Sequence, residues 1–130
     1  MNFPKFLRFW FPVIFYSVII FYLSSIPDLK APLEEFNFDK VIHMGEYLIL
    51  GILLARALTN TQKHLSGTMI FWATFLFCLL YGISDEFHQS FVVGRVSDWM
   101  DVLVDTLGGS LGGWLYPCGR GILHRKIYER

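Results

Sequence analysis

Long apolar runs separated by short polar connections are the dominant pattern along the chain. Phe9–Ile26 holds eighteen residues with no charge and follows Lys5 and Arg8, and Leu65–Ser84 holds twenty with none. Two further runs are interrupted: Val41–Leu58 by His43, Glu46 and Arg56, and Val102–Cys118 by Asp105. A bilayer core asks for roughly 17–25 mostly apolar residues per helix. The pattern therefore predicts an all-α, four-helix transmembrane bundle with short loops, with spans at about 9–26, 41–58, 65–88 and 99–118 in one domain covering 1–130. The first run also fits a signal peptide. It is longer than a typical signal core and ends in Ser24-Ser25-Ile26-Pro27 without an A-x-A site, so it reads as a retained span.

Composition agrees. The 130 residues are 54% hydrophobic and 18% aromatic but only 17% charged, with mean hydropathy +0.45. A soluble domain carries about a quarter charged residues. Zero formal charge gives no electrostatic support for a nucleic-acid partner. Cys78 and Cys118 lie in or beside apolar runs without motif spacing and read as buried apolar side chains.

With four spans, eight of the eleven basic residues fall on the side of the termini and middle turn: Lys5, Arg8, Arg56, Lys63, Arg120, Arg125, Lys126 and Arg130. The positive-inside rule then makes both termini cytoplasmic. Lys30, Lys40 and Arg95 fall on the outer side, as do all the acids except Glu129. Acids contribute little to topology, so their asymmetry points to a functional surface.

Three outer helix ends carry that surface. Asp39, His43 and Glu46 stand at i, i+4 and i+7 on the second span, beside Tyr47. Asp85, Glu86, His88 and Gln89 form the last outer turn of the third, and Asp98, Asp101 and Asp105 repeat the helical spacing on the fourth. Lipid is the costlier neighbour, so these stripes are expected to face one another in a polar, outward-opening pocket beneath Arg95. Each group also has a plainer reading. Asp39 and Asp98 fit helix N-caps, His88 and Gln89 fit interfacial positions, and Arg56 fits a snorkelling anchor. Glu46 and Asp105 lie about two turns inside their spans, where an unpaired carboxylate costs at least ~2.5 kcal/mol.

Carboxylates with two histidines could hold a divalent cation, but no fixed-spacing ligand pair occurs, and no metal or other cofactor is expected. His43, Glu46, Glu86 and His88 are the candidates for acid–base catalysis. No activated nucleophile accompanies them, since Ser84, Ser90 and Ser97 lack an elbow motif. Gly108, Gly109, Gly112 and Gly113 form two overlaid G-x-x-x-G pairs suited to close helix packing, within the bundle or between copies in a homo-oligomer.

Three blocks together resemble the VanZ-like family of bacterial membrane proteins. They are Phe21–Pro27 (FYLSSIP), Asp39–Tyr47 (DKVIHMGEY, against D-K-x-x-H-x-x-x-Y), and Tyr81–Gln89 (YGISDEFHQ) with Gly94-Arg95, Asp101 and Asp105–Gly109 (DTLGG), against D-E-x-x-Q, G-R and D-x-x-x-D/N-x-x-G. The likeness runs from Phe21 to Gly113; Val93 stands where the family often has proline. The family is named for a protein linked to teicoplanin resistance and has no well-established biochemical activity. The resemblance implies a multi-pass protein of the bacterial inner membrane. Its matched polar residues are Asp39, Lys40, His43, Tyr47, Glu86, Gln89, Arg95, Asp101 and Asp105, and Asp85 joins them as an expected ligand-binding residue. The expected partners are membrane lipids, a lipid-linked cell-wall precursor or a glycopeptide. An enzyme modifying such a lipid and a purely structural assembly partner are the alternatives.

Overall fold

A computed structural model describes residues 2–27 and 38–128. The acidic connection with Asp28, Lys30, Glu34 and Glu35 lies outside the described residues, as do Glu129 and Arg130. The described residues form five helices and no strand: α1 (Phe3–Phe9), α2 (Phe11–Ser24), α3 (Phe38–Thr61), α4 (Gly67–Gln89) and α5 (Trp99–Tyr128).

The first apolar run is not one straight helix from Phe9, as its pattern suggested. It is a pair, α1 and α2, bent by 43°. Pro12, in the first turn of α2, has no N–H to give the carbonyl of Arg8 four residues back. That carbonyl is taken instead by Arg56 Nη1 from α3 at 3.2 Å. Arg56, whose guanidinium also lies 5.1 Å from the Phe9 ring centre, therefore fastens the kink to the bundle. Ser66 caps α4 by accepting the Met69 N–H at 3.2 Å. In α5, hydroxyls return to their own backbone, as Thr106 does to the Val102 carbonyl and Ser110 to that of Thr106.

Helices α3 and α4 are long and apolar enough to cross a membrane, and the bent α1–α2 pair makes a third span if taken as one. α5, the longest helix, is not apolar enough for this, because Asp101, Asp105, six glycines, Ser110 and Pro117 dilute its apolar character; Gly108, Gly109, Gly112 and Gly113 are the ones at the helix interface. Those four interface glycines are buried. A Cβ on Gly108 would strike the Met44 carbonyl and one on Gly112 the Leu48 carbonyl, both on α3. A Cβ on Gly109 would strike Cys78 and one on Gly113 would come within 2.9 Å of Thr74, both on α4. α5 thus wedges between α3 and α4, and its contact with α3, where Gly51 meets the Gly109 carbonyl, is the most extensive in the fold.

The exterior is apolar and the interior partly charged. Trp72, Leu76, Leu80, Leu107 and Trp114 are exposed, while Asp85, Glu86, Gln89, Asp101 and Asp105 are buried. Exposed apolar surface on this scale marks a membrane-facing protein. One end carries polar ties among the α1–α2 junction, the end of α3 and the C-terminal half of α5, where Trp10 Nε1 donates to Thr61 Oγ1 and Asn60 joins Tyr116 and Arg120. Among the described residues, the acids gather toward the other end.

Alanine scanning of the glycines tests the wedge. Gly109→Ala should lower the thermal unfolding midpoint in detergent by an amount corresponding to about 1–3 kcal/mol of overpacking. Gly45→Ala, whose Cβ would meet nothing within 4 Å, should be neutral or slightly stabilising. Equal midpoints for the two variants would contradict the wedge.

Candidate functional site

The polar stripe of α3 is met by the N-terminal turns of α5. Lys40 Nζ donates to Asp98 Oδ2 at 2.8 Å and to Asp101 Oδ1 at 2.7 Å. One turn further in, His43 Nδ1 lies 3.1 Å from Asp105 Oδ1, and Asp105 is 0% exposed. Asp98 caps α5, its Oδ1 accepting the Met100 N–H at 2.9 Å. The Lys40 ammonium, helped by that N–H, holds the Asp98 carboxyl below the usual carboxylate range. Asp39 lies in the first turn of α3 rather than at a cap, with Oδ1 buried and unpartnered.

From α4, Gln89 Nε2 donates to Asp85 Oδ2 at 3.0 Å, and Glu86 Oε2 accepts the Asp98 N–H at 2.7 Å. Glu86 therefore clamps the α4–α5 loop. That loop turns through a hydrogen bond from Arg95 N to Val92 O at 3.1 Å, with Gly94 at φ 79°. A positive φ at the third residue is the type II turn, which favours glycine there and proline before it. Val93 occupies the proline position, so the departure from the family pattern keeps the turn. The turn sends Arg95 inward, where Nη2 donates to the Leu23 carbonyl at the end of α2 at 2.9 Å.

These elements enclose a cavity of about 370 Å³. α3 contributes Asp39, His43 and Glu46, α4 contributes Asp85 and Gln89, and Arg95 and Asp101 come from the loop and α5. α2 adds Ile20, Leu23 and Ser24. Four lining residues carry buried polar atoms with no partner among the described residues: Ser24 Oγ, Asp39 Oδ1, Asp85 Oδ1 and Arg95 Nε.

The remaining sequence candidates sit around the cavity. Tyr47 is fully buried, and its hydroxyl, without a partner among the described residues, lies with Asp105 beside Gly82 of α4. Lys40 is bound to its two aspartates. His88 is not among the lining residues and packs on Phe21, with ring centres 4.3 Å apart. Among the described residues, no group of three or more His, Cys, Asp or Glu side chains is arranged to hold a metal ion. Ser24, which the polar-stripe reading omitted, lies in the Ser24-Ser25 pair of the first family block, so its signal was present.

The family model described as VanZ/LLP1 matches residues 3–123. The chain belongs to this family. No curated protein and no solved structure matches it. The family motifs acquire physical roles here: the D-K of α3 supplies Lys40 to two aspartates of α5, the D-E of α4 supplies a cavity carboxylate and a loop clamp, and G-R builds the turn that aims Arg95.

Two outcomes are expected. Val93→Pro should raise the unfolding midpoint by an amount corresponding to about 0.4–1 kcal/mol, because proline already holds the turn's backbone angle. Lys40→Ala should destabilise by up to about 3 kcal/mol by leaving buried Asp101 without its cation. The double variant Lys40→Ala/Asp101→Asn should recover part of that loss; a purely additive cycle would show that the pair is not coupled.

Proposed function

We propose that this chain is a multi-pass protein of the bacterial inner membrane whose cavity receives the polar head of a lipid or lipid-linked envelope component. The α1–α2 pair and α5 serve as the first and fourth spans. Lys5, Arg8, Arg56, Lys63 and Arg120 belong to the end opposite the cavity, and the positive-inside rule makes that end cytoplasmic. The cavity then opens at headgroup depth on the outer side.

The observation that carries this reading is the set of unpartnered polar atoms around one cavity, on Ser24, Asp39, Asp85 and Arg95. Buried polar groups are normally hydrogen-bonded, so such a set calls for a ligand. The head's phosphate is assigned to Arg95, since Lys40 is engaged by Asp98 and Asp101. Its hydroxyl or ammonium hydrogens are assigned to Asp39 and Asp85. Binding a cell-wall precursor in this way is the route by which the protein would lower teicoplanin susceptibility.

A second reading has one specific observation in its favour. The His43–Asp105 pair, with His43 lining the cavity, is the arrangement of an oriented general base. In that case the same lipid is a substrate.

Cells expressing the protein should show lowered teicoplanin susceptibility. Arg95→Ala, Asp39→Asn and Asp85→Asn should abolish the effect at unchanged membrane levels. If all three remain active, the cavity has no part in the function. Purified protein incubated with bacterial lipid extract should leave every lipid mass unchanged, whereas a new mass would favour the enzyme.

A further inference from the structure

Outside the polar cavity, α2 is a helix held by hydrogen bonds more than by packing. Its contacts with α3 and α4 are sparse beside those that join α3, α4 and α5. Only Val13, Ile20 and Ser24 are buried along it, a narrow stripe at seven- and four-residue spacing. At its start, Trp10 Nε1 donates to Thr61 Oγ1 at 3.2 Å and Arg56 reaches the Arg8 carbonyl. Midway, Tyr81 Oη donates to the Ser17 carbonyl at 2.6 Å, and at its end Arg95 holds the Leu23 carbonyl.

Between these ties the helices stand apart, leaving an apolar groove of about 680 Å³. Trp10 and Phe21 mark its ends on α2, Leu58 closes it from α3, and Ala73, Phe77 and Tyr81 line it on α4. Ser17 is the one lining residue with an aliphatic hydroxyl.

Groove and cavity are successive stretches of the same helix pair. On α2, Phe21 lines the groove while Ile20, Leu23 and Ser24 line the cavity. On α4, Tyr81 lines the groove and Asp85, one turn on, lines the cavity. From Trp10 to Phe21 the groove runs about 16 Å at ~1.5 Å per residue. That is about half of a ~30 Å hydrocarbon core, the reach of one acyl chain leading from the cavity toward the Trp10–Thr61 end. Polar at the headgroup end and apolar for about the length of one acyl chain, the two spaces together have the form of a single amphiphile.

We infer that the groove between α2 and α4 holds a hydrocarbon chain of the same lipid whose head enters the cavity. This rests on the headgroup reading above. The ligand is therefore an outer-leaflet lipid bound by head and tail together, with the Tyr81–Ser17 hydrogen bond keeping α2 at the spacing the chain needs. An unfilled apolar gap of this size would forfeit packing along both walls, and a chain restores it.

Full-length protein purified from bacterial membranes in a mild maltoside detergent, with retained lipid read by native mass spectrometry, tests the inference. The unaltered chain should carry tightly held phospholipid. Retention should fall about tenfold in Ala73→Phe, which fills the groove wall. It should be unchanged in Leu76→Phe, which adds a ring at an exposed position outside the groove. Undiminished retention in Ala73→Phe overturns the groove assignment and leaves the headgroup reading standing. Undiminished retention in Arg95→Ala and Asp85→Asn overturns the headgroup reading itself, and no retained lipid on the unaltered chain overturns both. A second measurement uses no variant: long-chain phosphatidylglycerol should raise the unfolding midpoint more than the same headgroup on short chains. Equal shifts overturn the groove assignment.

Discussion

The approach of Gly109 to Gly51, backbone against backbone, is the contact on which the other features of the fold depend. In lipid there is no hydrophobic drive to press helices together, so association relies on close packing and polar contacts. Glycine at 108, 109, 112 and 113 lets α5 sink between α3 and α4 until its surface meets their backbones. That depth brings Asp101 within reach of Lys40 and Asp105 within reach of His43. Were α5 held out by even a methyl group on each glycine, the two aspartates would lose those partners.

Asp101, Asp105, Gly108 and Gly112 follow one another at helical spacing on a single stripe of α5. The stripe changes character along its length: charged where α3 presents Lys40 and His43, bare where α3 presents the carbonyls of Met44 and Leu48. Packing and recognition are therefore one face, not two. The carboxylates are held in register by the glycines beneath them, and the glycines are kept in contact by the ion pair above them. Gly82 on α4 faces the same region, where a Cβ would lie in ordinary contact with Asp105 and the Tyr47 hydroxyl.

Much of this was legible from spacing alone. The stripes on α3, α4 and α5 stand out because ionisable groups inside apolar runs are expensive, and expense forces them to face one another. What spacing could not supply was pairing. Lys40 reads locally as an outer-loop cation, and only the meeting of chain positions some sixty residues apart turns it into the partner of Asp98 and Asp101. Glu86 reads as a site carboxylate, yet one of its oxygens is a loop clamp, because the backbone it binds comes from the next element. His88 falls on the other flank of α4, against Phe21. Pro12 was visible within the first run, but the consequence of its missing N–H needed Arg56 to be seen arriving from α3. The role of α2 in walling the cavity through Ser24 depends on its placement, which no local pattern encodes.

The charge balance of the cavity narrows what it can accept. Asp39, Glu46, Asp85 and Asp101 line it against Arg95 and His43, and Arg95 already has one nitrogen on the Leu23 carbonyl. A compact anion entering alone would meet more negative groups than positive ones at close range, and an apolar surround strengthens that repulsion. The unpartnered oxygens of Asp39 and Asp85 need donors instead. A headgroup that carries hydroxyls or an ammonium beside its phosphate satisfies both demands, giving its hydrogens to the aspartates and its anion to Arg95. On the headgroup reading proposed above, these acids would select for a head rich in donors, and the inward Arg95 would fix which way round that head sits.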